Sequence, residues 1–165
     1  MLKLAFAAGA LVFLAACGSE ATLPDQGECE PPAPEETADE TAAEYLGAVN
    51  IGLSKLESYE ETFREEWDGR RLRERDRFRE DYARYAHLGH CTTDVLIDLD
   101  PPPELEDFDI TLEGFAIAYQ DALDDGERYV ASRNRSGYDR WIEDIDELNE
   151  ELAELAGAVR TLPSN

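Results

Sequence analysis

The chain predicts an all-α fold, an antiparallel bundle of four helices, and three observations predict it. Apolar residues recur at steps of three and four over long stretches. Breaks near Asp68-Gly69, His90 to Pro103 and Asn134 to Gly137 divide those stretches into four. No run alternates apolar and polar residues long enough to pair into a sheet. We place the bundle domain at 37–162, after a short apolar leader (1–16) and a proline-rich stretch (17–36).

In the first helical stretch, Thr37 to Trp67, the seam is Ala42, Leu46, Val49, Leu53, Leu56, Phe63 and Trp67, with Glu60 interrupting and Tyr59 beside it. Thr37 with Glu40 offers a capping box at its start. The second, Arg70 to Leu88, continues helical spacing through Leu72, Phe78, Tyr82 and Tyr85. Asp68-Gly69 is read as a hairpin turn between the two, because one uninterrupted helix would run about 75 Å at 1.5 Å per residue and have no partner of that length.

Arg64, Arg70, Arg71, Arg73, Arg75, Arg77, Arg79 and Arg84 crowd this region, but Glu65, Glu66, Asp68, Glu74, Asp76, Glu80 and Asp81 interleave with them. Pairs one turn apart, such as Glu66 with Arg70 and Glu80 with Arg84, make this a salt-bridged face in solvent and not a basic patch. Gly89 is expected to end the second helix, with His90 to Pro103 a connector whose Val95-Leu96-Ile97 crosses the end of the bundle. Pro103 suits the first turn of the next helix, and Glu104, Glu106 and Asp107 favour its N-terminal dipole.

The third seam is Leu105, Phe108, Leu112, Phe115, Tyr119, Ala122 and Tyr129, with Gly126 in one vacant place. The fourth, Tyr138, Trp141, Ile145, Leu148, Leu152, Leu155 and Val159, has no interruption. Short connections between long helices make them antiparallel neighbours.

Residues that carry chemistry are sparse. His87, His90 and Cys91 are good zinc ligands by type, but no fourth ligand follows by spacing. Asp121 to Gly126 resembles the start of a calcium loop, yet Leu123 stands at position three and Ser132 at position twelve, where oxygen ligands and a glutamate belong. No Glu-x-x-His pair for a di-iron bundle, no Gly-x-Ser-x-Gly elbow and no glycine-rich phosphate loop occur. We therefore expect no catalytic, metal or cofactor residues. The many aromatic seam residues are read as core, the alternative being a groove for an apolar ligand.

Leu14-Ala15-Ala16-Cys17, which closes an apolar run from Leu4 behind Lys3, resembles the lipobox of bacterial lipoproteins. The resemblance implies cleavage before Cys17, a diacylglyceryl group on its sulfur, and a mature chain anchored outside the cytoplasm; two acyl chains suffice for stable anchoring. The later layout, a helix pair, then Leu99-Asp100-Pro101-Pro102-Pro103-Glu104-Leu105, then a second helix pair, resembles small helical-bundle lipoproteins and brings no activity with it.

With Cys17 lipidated, Cys29 and Cys91 remain in an oxidising compartment and read as one disulfide. Closing a loop of about 63 residues, it would remove roughly 4 kcal/mol of unfolded-state freedom on the chain-entropy account. Pro24, Pro31, Pro32 and Pro34 preclude a helix in the segment before the bundle, so it reads as a flexible tether; Cys17 to Cys29 could hold the domain up to about 40 Å from a bilayer.

The formal charge is −24, one unit more negative once Lys3 is removed. Such charge disfavours nucleic acid and anionic lipid as partners. The expected protein is thus a cell-envelope lipoprotein whose membrane contact is the Cys17 anchor and whose bundle is a non-enzymatic interaction or structural module, with another envelope protein as its partner. The alternative expectation is a small-ligand or divalent-cation binding lipoprotein.

Overall fold

The structure, a computed structural model, describes residues 23, 41–67, 75–132 and 135–163. The leader 1–16, Cys17, Cys29 and the Asp68-Gly69 turn lie outside the described residues, as does the tether apart from Leu23. Four helices, α1 (Ala42–Trp67), α2 (Arg75–Ile97), α3 (Glu106–Ser132) and α4 (Arg135–Val159), pack in sequential neighbour order, α4 closing back on α1; a single 3-10 turn, Pro103–Leu105, precedes α3. No strand occurs among the described residues. The expected four-helix bundle is what the chain forms, with α1 and α2 as separate helices.

The described members of every predicted seam enter the interior or pack against it; Leu72 of the second seam lies outside the described residues. From α1, Ala42, Leu46, Val49, Leu53, Leu56, Phe63 and Trp67 are buried. From α3 and α4, Leu112, Phe115, Tyr119, Ala122, Tyr138, Trp141, Ile145, Leu152 and Leu155 join the same cluster. Removal of these side chains from water, at about 1.5–3 kcal/mol for each large one, is what assembles the helices.

The described part of α1 begins behind a capping box made by Thr41 and Glu44. The Thr41 amide donates to Glu44 Oε2 at 3.0 Å, and the Glu44 amide donates back to Thr41 Oγ1 at 3.3 Å. The Thr41 amide and hydroxyl, both donating to Glu44 Oε2, hold the Glu44 carboxyl below its ordinary 4.5. The expected box, Thr37 with Glu40, lies outside the described residues.

Gly89 does not end α2, which runs eight residues further to Ile97. A glycine inside a helix costs about 1 kcal/mol relative to alanine, but here it lets α3 approach. A Cβ at Gly89 would lie 2.5 Å from Leu123 Cδ1. The added turns also bury Thr92, Thr93 and Leu96. Thr92 Oγ1 donates to the Leu88 carbonyl at 2.8 Å and Thr93 Oγ1 to the Gly89 carbonyl at 3.0 Å, so neither hydroxyl is left unsatisfied. His90 and Val95 to Ile97 are therefore helical and not a connector. The chain leaves the helix at Asp98, ahead of Pro101, Pro102 and Pro103. Pro103 occupies the first turn as expected, with the Leu105 amide donating to the Pro102 carbonyl at 2.8 Å.

Gly137, expected in the break before the last helix, lies inside α4. It is buried where a Cβ would strike the Tyr129 ring at 2.3 Å, so glycine here allows α3 and α4 to meet close to their connection.

Candidate functional site

Among the described residues, aromatic rings fill one end of the interior. Phe63 and Trp67 of α1, Phe78, Tyr82 and Tyr85 of α2, and Tyr138 and Trp141 of α4 form one connected aromatic cluster; Phe63 stacks on Tyr85 with ring centroids 4.9 Å apart. Phe78 reaches Tyr138 and Tyr82 reaches Trp141 across the diagonal of the bundle, 5.7 and 5.2 Å between centroids. Gly126 is the vacant place in the third seam, and the reason is on its neighbours. A Cβ there would lie 2.0 Å from Tyr82 Oη and 2.7 Å from the Trp141 indole.

The hydroxyls of Tyr82, Tyr85 and Tyr119 are spent on structure. Tyr82 donates to the Leu123 carbonyl at 2.7 Å, and Tyr85 and Tyr119 share a hydrogen bond of 2.9 Å. Burial pushes the Tyr82 and Tyr85 hydroxyls well above their ordinary 10.0. It pushes Tyr119 up to about 12, against the opposing influence of its bond to Tyr85 and of the Arg64 charge. Phenols held this way are neutral donors, not proton-transfer groups near neutral pH.

Most charged side chains lie on the outside, and the helix pairs differ there. α1 carries six acids and two bases, and α2 four acids and four arginines. α3 carries eight acids against one arginine, and α4 eight against two. Two arginines of the first pair, Arg64 and Arg77, serve as interhelical ties. Arg64 binds Glu60 on its own helix and Asp146 of α4 at 2.7 Å. Arg77 joins Glu66 of α1 and lies 5.7 Å from the centre of the Trp67 ring. The expected salt-bridged reading of this row holds for Arg64 and Arg77, while the expected Glu80–Arg84 pair is not formed; Arg70, Arg71, Arg73 and the side chain of Arg75 lie outside the described residues.

Between α3 and α4 runs a groove of about 360 Å³ whose rim is Asp121, Asp125, Asp144, Glu147 and Glu151, over a floor of Ala118, Ala122 and Leu148. No basic side chain lines it; Arg128 approaches only through Asp125. A second groove of about 420 Å³, between α2 and α3, differs in having Arg79 among Asp76, Glu80 and Glu127. The acidic groove went unread in the sequence because its carboxylates come from two helices. The available pointers were Asp121 with Asp125, and Asp144, Glu147 and Glu151, each set recurring along one helix face at steps of three or four. Asp121 to Gly126 belongs to α3 and forms no calcium loop.

Of the expected site residues, Cys17 and Cys29 lie outside the described residues, and Cys91 is half-buried in α2. His87 is exposed, and His90 Nε2 lies 3.0 Å from Asp124 Oδ1 of α3, a partner that diverts it from the His87–Cys91 face. Among the described residues no three histidine, cysteine or acidic side chains converge as a metal site, and no helix is long and apolar enough to cross a membrane. Comparison of the chain with protein-family models, curated proteins and solved structures finds no match.

Proposed function

We propose that the chain is an extracytoplasmic lipoprotein, diacylated at Cys17 and tethered to a bacterial membrane, whose bundle is a non-enzymatic interaction module. Its partner is a basic segment of another envelope protein, seated in the groove between α3 and α4. The observation that carries this reading is that groove: five carboxylates on its rim, an apolar floor and no basic side chain lining it. A rim of one sign attracts and orients a cationic partner, and the apolar floor gives its aliphatic stems a surface to cover. The closed aromatic interior supports binding from outside over chemistry within.

The same reading includes a Cys29–Cys91 disulfide. Supporting it, Cys91 is not a free thiol, and the chain's other cysteines are Cys17 and Cys29.

Three measurements test the proposal. Intact mass of the membrane-extracted protein is expected to show a chain starting at a diacylated Cys17, with no alkylatable thiol until reduction; an unmodified Cys17 would remove the anchor. In intact cells, a photo-crosslinker at Ala118 is expected to capture a basic protein that one at Glu57, on the outer face of α1, does not, and Glu147→Lys with Glu151→Lys is expected to abolish that adduct. Equal capture at Glu57, or survival of the adduct in the charge-reversed variant, refutes the groove as the binding face. A thermal shift with Ca²⁺ that disappears with EDTA and with the same substitutions would replace the protein partner with a divalent cation.

A further inference from the structure

Leu23 stands in the stretch whose composition reads as a tether, and it is the one residue of the first 40 that the structure describes. It is only 6 % exposed and belongs to the same hydrophobic cluster as the helical seams. Between Gly18 and Glu36 it is also the only leucine, isoleucine, valine, methionine or aromatic residue. The sequence thus supplies one large apolar side chain in a polar, proline-rich stretch, and that one is in the core.

We propose that Leu23 is an anchor point that fastens the amino-terminal segment to the bundle. On this proposal the segment between Cys17 and the bundle has one fixed point, Leu23. Burial of one leucine favours the docked state by about 10- to 100-fold. Pro24 assists, because a residue before proline is confined to extended geometry and has less freedom to lose on docking. A disulfide at Cys29, six residues on, would keep Leu23 near its seat and raise its effective concentration there.

The consequence concerns reach and rests on the lipoprotein reading above. With Leu23 seated, the free span from Cys17 is six residues, or about 20 Å fully extended, against about 40 Å to Cys29. The lipid then holds the bundle close to the head groups. Release of Leu23 would roughly double the available distance, so the contact sets how far from the bilayer the acidic groove is presented.

The test uses the full-length protein, extracted in detergent and then placed in vesicles of zwitterionic lipid. Glu20 and Glu28 flank Leu23, so a glutamate-specific protease reports the freedom of the segment in both wild type and variants. Leu23→Asp is expected to be cleaved at these sites at least about tenfold faster than wild type, and Leu23→Met at close to the wild-type rate, with helical circular dichroism unchanged. Should Leu23→Asp lose helix content, Leu23→Ser supplies the same comparison. Equal cleavage of wild type and the polar variant overturns the proposal. In vesicles, energy transfer from Trp67 and Trp141 to a labelled head group is expected to fall in the polar variant; unchanged transfer overturns the spacing consequence. A chain shown by mass to lack lipid defeats the membrane reading but leaves the protease comparison valid.

Discussion

The two ends of the bundle achieve closure by different means. Toward the α1–α2 and α3–α4 connections, rings of seven aromatic residues meet one another and cross the diagonal, and Gly126 is shaped around two of them. Toward the opposite end, Leu46, Val49, Leu53, Leu96, Leu105, Leu112, Leu152 and Leu155 dominate, with Tyr45, Phe108 and Phe115 as an aromatic exception. Rings are large, rigid and directional, so the aromatic end depends on one arrangement. Leucines adapt by small rotations, and that end tolerates change. Even the exception is directional: the Tyr45 hydroxyl donates to Asp109 Oδ1 at 2.6 Å, tying the starts of α1 and α3.

The largest effect that sharpens this contrast is expected from Trp141→Ala. It empties the space between Tyr82 and Tyr138 and should cost about 3–5 kcal/mol in urea denaturation, whereas volume-conserving Leu112→Met at the other end should cost less than about 1.5 kcal/mol. Similar losses for both would erase the distinction.

The next comparison uses two buried glycines. Gly126→Ala must displace both the Tyr82 hydroxyl, which is hydrogen-bonded, and the Trp141 ring. Gly52→Ala meets only the Leu96 side chain, Cδ2 at 2.6 Å and Cγ at 3.0 Å, which is flexible and not held by a hydrogen bond. We expect a loss of about 1–3 kcal/mol for the first and under about 1 kcal/mol for the second, read from midpoints of chemical denaturation.

Alkaline pH separates the ends without mutation. Tyr82, Tyr85 and Tyr119 hold their protons in the folded state to higher pH than in the unfolded chain. Their contribution is therefore complete below about pH 10, the unfolded value, and declines as pH rises from there through about 12, where Tyr119 titrates in the folded state. Each such phenol steepens the decline by up to about 1.4 kcal/mol per pH unit. Denaturation midpoints between pH 8 and 11.5 are expected to fall in wild type and less steeply in Tyr85→Phe, and absorbance at 295 nm should show these phenols ionising together with unfolding.

The smallest expected effect is a gain. Gly114 is exposed in the interior of α3, and nothing lies within 4 Å of a Cβ built there. Gly114→Ala should stabilise by about 0.5–1 kcal/mol through helix propensity alone. Its thermal midpoint should rise, in contrast to both buried glycines.

Much of this architecture is legible in the chain because a helix repeats every 3.6 residues, and a seam buried along its whole length must repeat with it. The run from Tyr138 to Val159 is the clearest case, and its residues line the core or pack against it. Gly126 was visible as a vacancy but not as a fit, because its occupants come from α2 and α4. Gly89 misleads for the same reason. A local rule reads glycine as a stop, while Leu123, 34 positions away in sequence, makes that glycine a point of close approach. The groove between α3 and α4 was hidden among many acids, since carboxylates on different helices share a rim only after packing.

What the sequence determines by itself, then, is the helical periodicity, the apolar seams and the acidic charge, all properties of residues and their near neighbours. Tertiary structure alone decides which glycines are contacts, which tyrosines are sealed from water, which carboxylates face one another and that Leu23 enters the core. Each of these depends on an atom contributed by a distant part of the chain, and no local pattern encodes where that atom will lie.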